Sequence, residues 1–161
     1  EGVEVIKSKY PEFENFRNLT LEMIEEVKTE LSEKQYLRLI FIVKEIARIL
    51  NAVQALEKNN FTEFGSLVTQ THYGLSKEYE VSCPELDFLV DATLKESGVL
   101  GSRMMGGGFG GCTISLVHQD HLETLITKMK SAYQAEFNID LKVYPVHVSQ
   151  GTQMVEYATI Q

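Results

Sequence analysis

Between residues 101 and 112 the chain reads GSRMMGGGFGGC, with five of its eleven glycines packed into the six residues from Gly106 to Gly111. Glycine removes side-chain packing and frees the backbone, so such a cluster marks tight turning or the close approach of a ligand. Three phosphate-binding devices bear on it. Gly106-x-Gly108-x-x-Gly111 has the spacing of a dinucleotide fingerprint, but that motif needs a helix start to receive pyrophosphate, and the next residues, CTISLV, alternate as a strand does. A Walker A loop ends Gly-Lys-Ser/Thr, whereas this run ends Gly-Gly-Cys. The third device survives: successive amides in glycine-permitted conformations form a concave nest for an anion. The competing reading is a strand connection whose bareness lets another segment pack close, and pattern alone leaves both open.

Other residues with chemical capacity are less well arranged. Arg103 could pair with a phosphate or equally serve a structural ion pair. His118 and His121 have HxxH spacing but straddle a strand end and a helix start with no Cys or carboxylate constellation, so they read as surface histidines. His72 reads as a helix-face histidine. Asp87 and Asp91 stand one turn apart beside Glu85, at a helix start that favours acids electrostatically in any case. Glu22, Glu25 and Glu26 read as a solvated face. Cys83 and Cys112 fall in different elements without zinc partners, so reduced thiols are expected rather than a disulfide framework. No catalytic residue and no metal ligand is assigned.

The elements that must position the glycine run begin with helices. Thr20 precedes LEMIEEVKTEL, and Ser32 with Gln35 has capping-box spacing before a helix from Gln35 to about Lys58. That helix carries Leu39, Ile40, Val43, Ile46, Leu50, Val53 and Leu56 on one face with Phe41, Ile42 and Ile49 beyond it, the pattern of a largely buried central helix. Asn60 and Glu63 cap a fourth helix with Phe61, Phe64, Val68, His72 and Leu75 at helical intervals, ending near Gly74. Ser82-Cys83-Pro84-Glu85 is read as a capping box opening a helix that Gly98 stops. The period then changes to strands at Val99 to Met105 and Cys112 to Val117, followed by a helix capped by Asp120 and Glu123. LKVYPVHV returns to strand character, with Pro145 marking an edge or bulge. This order predicts an α+β domain, helical over about 12–97 and strand–loop–strand–helix–strand over about 98–150, with a small, mostly antiparallel sheet.

Composition narrows the function classes. At 161 residues and 43% hydrophobic content the chain can bury one core, while a net charge of −8 and the lack of a basic, aromatic-interleaved run argue against nucleic acid. No apolar run approaches the roughly 20 residues needed to span a bilayer, and the start lacks a signal-peptide layout, so a cytoplasmic protein without a membrane partner is expected. A start at Glu1 rather than methionine is what a piece of a longer protein would show.

The run RMMGGGFGGCTISLV resembles the third signature of the galactokinases, members of the GHMP family of small-molecule kinases. The longer stretch KEYEVSCPELDFLVDATLKESGVLGSRMMGGGFGGCTISLV resembles their continuous sequence, and NLTLEMIEEVKTEL and RILNAVQAL resemble segments upstream, covering about residues 15–150. The resemblance implies transfer of the ATP γ-phosphoryl, with magnesium, to the anomeric hydroxyl of galactose. It also implies a ferredoxin-like GHMP C-terminal domain over 1–161 with additional N-terminal helices. The family's phosphate loop, sugar segment and catalytic aspartate belong to an N-terminal domain whose patterns are absent here. That domain is thus an implied partner and holds most of the ATP and magnesium contacts; the fragment alone would be inactive and monomeric. Within this chain the resemblance points to Gly106, Gly107, Gly108, Gly110 and Gly111 as nucleotide-binding, with Phe109 packing to anchor the loop. Two departures stand out: Met105 occupies a position where galactokinases commonly have threonine, and Phe41-Ile42 and Glu45-Ile46 replace a His-Val and Glu-Asn pattern. A non-catalytic sugar and ATP sensor acting on a protein partner is the alternative.

Overall fold

The structure is a computed structural model and describes residues 1–151 and residue 154; the end of the expected 1–161 domain lies outside the described residues. A helix unforeseen in the sequence, α1 (Gly2–Lys9), opens the chain. It is followed by α2 (Leu21–Glu26), α3 (Glu33–Glu57), α4 (Phe61–Lys77), α5 (Pro84–Leu94), β1 (Val99–Met105), β2 (Cys112–Val117) and α6 (Leu122–Phe137). The result is a helix-dominated α+β fold around one antiparallel strand pair. Among the described residues no helix is long and apolar enough to cross a membrane.

Three of the helix starts behave as their cap residues dictate. The Thr20 and Asn60 side chains accept from the Met23 and Glu63 amides, and Ser32 with Gln35 closes a reciprocal capping box. Two expected caps do not form. Pro84 takes the first helical position of α5, which makes Cys83 the flanking residue and frees the Ser82 hydroxyl to reach Asp87 instead. A 3₁₀ turn at Gln119–His121 shifts the start of α6 past Asp120, leaving His121 at the boundary without a capping bond.

Two apolar clusters result. Ile6, Phe13, Leu19, Ile24 and Val27 fold over Leu39 at the beginning of α3, while Leu86, Leu89, Val90, Met104, Leu125 and Met129 are buried around the strands. The expectation that α3 is a buried central helix is overturned along its second half. Ile49, Leu50, Val53 and Leu56 are 42–61% exposed, because α1 and α2 cover only the first turns and α4 packs along one side. On that covered side Glu45 accepts from the Thr71 hydroxyl (2.8 Å) and pairs with Arg48. Phe41 packs on Tyr79 and lies 2.6 Å from where a Cβ on Gly74 would fall.

The strands pair in the register Ser102↔Ser115, Arg103↔Ile114, Met105↔Cys112. On the other edge of β1 sits α4. The Ser102 amide donates to Thr69 Oγ1 and the Met104 amide to His72 Nδ1, both at 3.2 Å, so side chains of a helix take the bonds that a third strand would otherwise accept. The helix also meets the strand backbone to backbone, since a Cβ added at either Gly65 or Gly101 would fall on the other segment's main chain. A second correction follows. LKVYPVHV forms no strand: residues 141–148 have no regular structure, and Tyr144, Val146 and Val148 are exposed, while of the two sheet edges the one on β1 is already taken by α4.

Candidate functional site

The loop joining β1 to β2 holds all five candidate glycines at the open end of the hairpin. Gly106, Gly108, Gly110 and Gly111 have positive φ, as does Phe109 (φ 58°). The loop is seated on the segment before α5. The Phe109 amide donates to the Val81 carbonyl (2.8 Å), and the same carbonyl lies where a Cβ on Gly108 would be, so glycine is required there twice over. Gly107 is different: it has no positive φ, and nothing lies within 4 Å of where its Cβ would project. No contact among the described residues requires glycine at that point. The amides of Gly107, Gly108 and Gly110 donate to no group among the described residues.

The expectation that Phe109 packs is corrected, for its ring is 76% exposed and the residue anchors the loop through its main chain. Met105, 45% exposed, ends β1 at the loop's mouth. Half-buried Arg103 donates from Nε to the Met104 carbonyl rather than to a carboxylate. His118 and His121 are exposed, and among the described residues no three His, Cys, Asp or Glu side chains converge on a point that could hold a metal. Beneath the loop a cavity of about 250 Å³ is lined by Cys83, Glu85, Leu86, Leu89, Phe109, Gly110, Gly111 and Tyr133. Burial in its wall raises the Tyr133 phenol above its usual range. Cys83 is half-buried at the helix start, whereas Cys112, one residue past the loop, is exposed.

Sequence reasoning missed the polar cluster behind the loop. His72, read as a helix-face histidine, is fully buried. Its Nε2 lies 3.3 Å from Asp87 Oδ1, a close contact too poorly aligned to satisfy that nitrogen as a hydrogen bond. Asp87 accepts from the hydroxyls of Ser82 (2.5 Å) and Ser76 (2.8 Å), and Lys77 Nζ lies 3.6 Å away. Burial alone would raise its pKa, but the Ser82 and Ser76 bonds, with the neighbouring positive charge, hold it below the usual carboxylate value. Asp91, one turn on, accepts from the Tyr73 hydroxyl (2.7 Å), so the carboxylate pair clamps α5 to α4. The available signal was Gly65, Thr69 and His72, spaced along one face of α4 as a stripe of residues too small or too polar for an ordinary core.

The His72 pKa lies below its ordinary value of 6.5, lowered chiefly by burial and further by Lys77, with Asp87 and Asp91 opposing. The unfolded chain therefore binds more protons than the folded one below pH 6.5. Stability from the neutral ring is fully present above that value and is lost as pH falls toward the folded pKa. Urea midpoints taken between about pH 7.5 and 5.5 should fall with acidification in the parent and flatten in His72→Asn, ahead of the carboxylate range.

The loop's setting has parallels in known proteins. A model of the family "GHMP kinases C terminal" matches residues 52–135, more than half the chain. The galactokinase of Clostridium beijerinckii is 41% identical over 138 residues, covering 85% of this chain and 36% of that protein. The Bos taurus galactokinase is 40% identical over 120 residues, covering 74% and 31%. The crystal structure of Lactococcus lactis galactokinase complexed with galactose superposes with a TM-score of 0.77 at 30% identity, over 86% of this chain and 37% of that one. The matched stretch thus spans only 31–37% of the length of these relatives. With a family model over most of its helical and strand core and galactokinase-like sequence on both sides of the loop, this chain belongs to the GHMP kinases and carries their C-terminal domain.

Proposed function

We propose that residues 1–161 act as the C-terminal domain of a galactokinase, completed by an N-terminal portion that holds the catalytic groups. In that reaction the anomeric oxygen of galactose bonds to the γ-phosphorus of ATP, the bond to the bridging oxygen breaks, ADP leaves, and the hydroxyl proton passes to a base outside these residues. Phosphoryl transfer depends mainly on positioning and charge stabilisation, which is work that backbone amides do well. Gly106, Gly107, Gly108, Gly110 and Gly111 would present amides to the nucleotide phosphates. The observation that carries this reading is Gly107, bare where nothing among the described residues demands bareness, beside amides that find no acceptor among those residues. Magnesium would neutralise phosphate charge when bound, and the family resemblance implies that its ligands belong to the N-terminal portion.

The test is direct. Full-length protein given ATP, magnesium and galactose should yield galactose 1-phosphate, and the 161-residue chain alone should yield none. Sugar and nucleotide binding without product in the full-length protein would replace the enzyme by a sensor. Turnover by the isolated chain would overturn the placement of the catalytic groups.

A further inference from the structure

Both ends of the glycine loop's support lead to one carboxylate. Entry to the loop is through Met104, whose amide on the outer edge of β1 donates to His72 Nδ1. The crest of the loop rests on Val81 through the Phe109 amide. The next residue, Ser82, donates its hydroxyl to Asp87, which also faces His72 Nε2. A neutral imidazole carries one proton, so a ring whose Nδ1 accepts must carry it on Nε2. Asp87 is the group placed to favour that tautomer.

We propose that His72 and Asp87 are positioning residues for the glycine loop. The Asp87 charge, 3.3 Å from Nε2, favours the His72 proton there, Nδ1 thereby keeps the Met104 amide, and the Ser82 bond fixes the bed under the crest. Around this pair the charged and titratable groups are Asp91 and Tyr73, joined to each other, and Lys77; the facing residues of β1, Ser102 and Met104, bring none. The loop then has its shape before any ligand arrives, which is the preorganisation that positioning catalysis depends on. The proposal rests on reading the loop as a phosphate site, and the experiment separates the two.

In the full-length protein, long-range nitrogen–proton spectra of His72 should show the Nε2–H tautomer near neutral pH. Asp87→Asn puts an amide NH₂ within reach of Nε2, which favours the other tautomer and frees the Met104 amide. The spectra should then switch pattern and the Gly106 to Gly111 amide resonances should move. KM for ATP should rise about fivefold, the worth of one buried hydrogen bond, while KM for galactose holds. His72→Asn, whose side-chain oxygen can still accept from Met104, should keep KM for ATP closer to the parent than His72→Leu, although both leave space behind. Displaced glycine resonances with unchanged KM for ATP would support the positioning role and sink the phosphate reading. An Nδ1–H or charged ring in the parent, or glycine resonances indifferent to Asp87→Asn, would overturn the positioning itself.

Discussion

Gly101→Ala will lower the stability of the chain by about 3 kcal/mol, a loss of roughly 6 to 12 °C in thermal midpoint for a domain of this size. The added methyl falls on the Gly65 main chain, 2.6 Å from its Cα and carbonyl carbon and closer still to its oxygen. No side chain can rotate away, so α4 must retreat from β1, and the Thr69 and His72 bonds to the strand edge stretch with it. The reciprocal change is the sharper test. Gly65→Ala should gain about 1 kcal/mol in helix propensity, yet its methyl meets the Leu100 carbonyl, and the clash outweighs the gain. Gly2→Ala serves as a control, because its methyl makes ordinary contacts at 3.5 Å or more. Urea unfolding of the three variants checks this. If Gly65→Ala and Gly101→Ala both unfold with the control, helix and strand do not meet through their backbones.

Gly107→Ala and Gly108→Ala should fail in different ways, and the difference decides what the glycine run is for. Gly108 sits at φ 82° against the Val81 carbonyl, so alanine there costs about 2 kcal/mol in strain and contact and drags the crest off its bed. Gly107→Ala meets nothing among the described residues and should leave stability within about 0.5 kcal/mol. In the full-length protein both should raise KM for ATP, by about tenfold or more for Gly108→Ala, with KM for galactose near the parent value. A Gly107→Ala protein with the parent's ATP kinetics would return the loop to a plain strand connection.

How far the sequence carried these conclusions depended on where the signals lay. Local signals were legible: the caps at Thr20, Ser32 and Asn60 form as read and CTISLV forms a strand, although its apolar Cys112 and Ile114 are exposed, while the glycine run makes the connection between the strands. What was not legible involved distant groups. The apolar face of α3 predicted burial, but a hydrophobic period says only that a surface is fit to be covered, and Ile49, Leu50, Val53 and Leu56 remain 42–61% exposed. LKVYPVHV has strand chemistry, yet the edge of β1 is closed by Thr69 and His72, residues some seventy positions earlier. Ser82 failed as a cap because Pro84 sets the helix start at Cys83, and the Ser82 hydroxyl, which would have accepted from an amide, donates to Asp87 instead. The buried His72 escaped notice because its partner atoms sit on two distant elements, β1 and α5.

The two thiols flanking the loop give the molecule built-in reporters. Cys112 stands exposed one residue beyond Gly111, and Cys83 is half-buried in the wall of the cavity under Phe109. They are the chain's full complement of cysteines, so no others need be removed. A fluorophore on the first would watch the loop's mouth, while the alkylation rate of the second would time each opening of its floor, all on native residues.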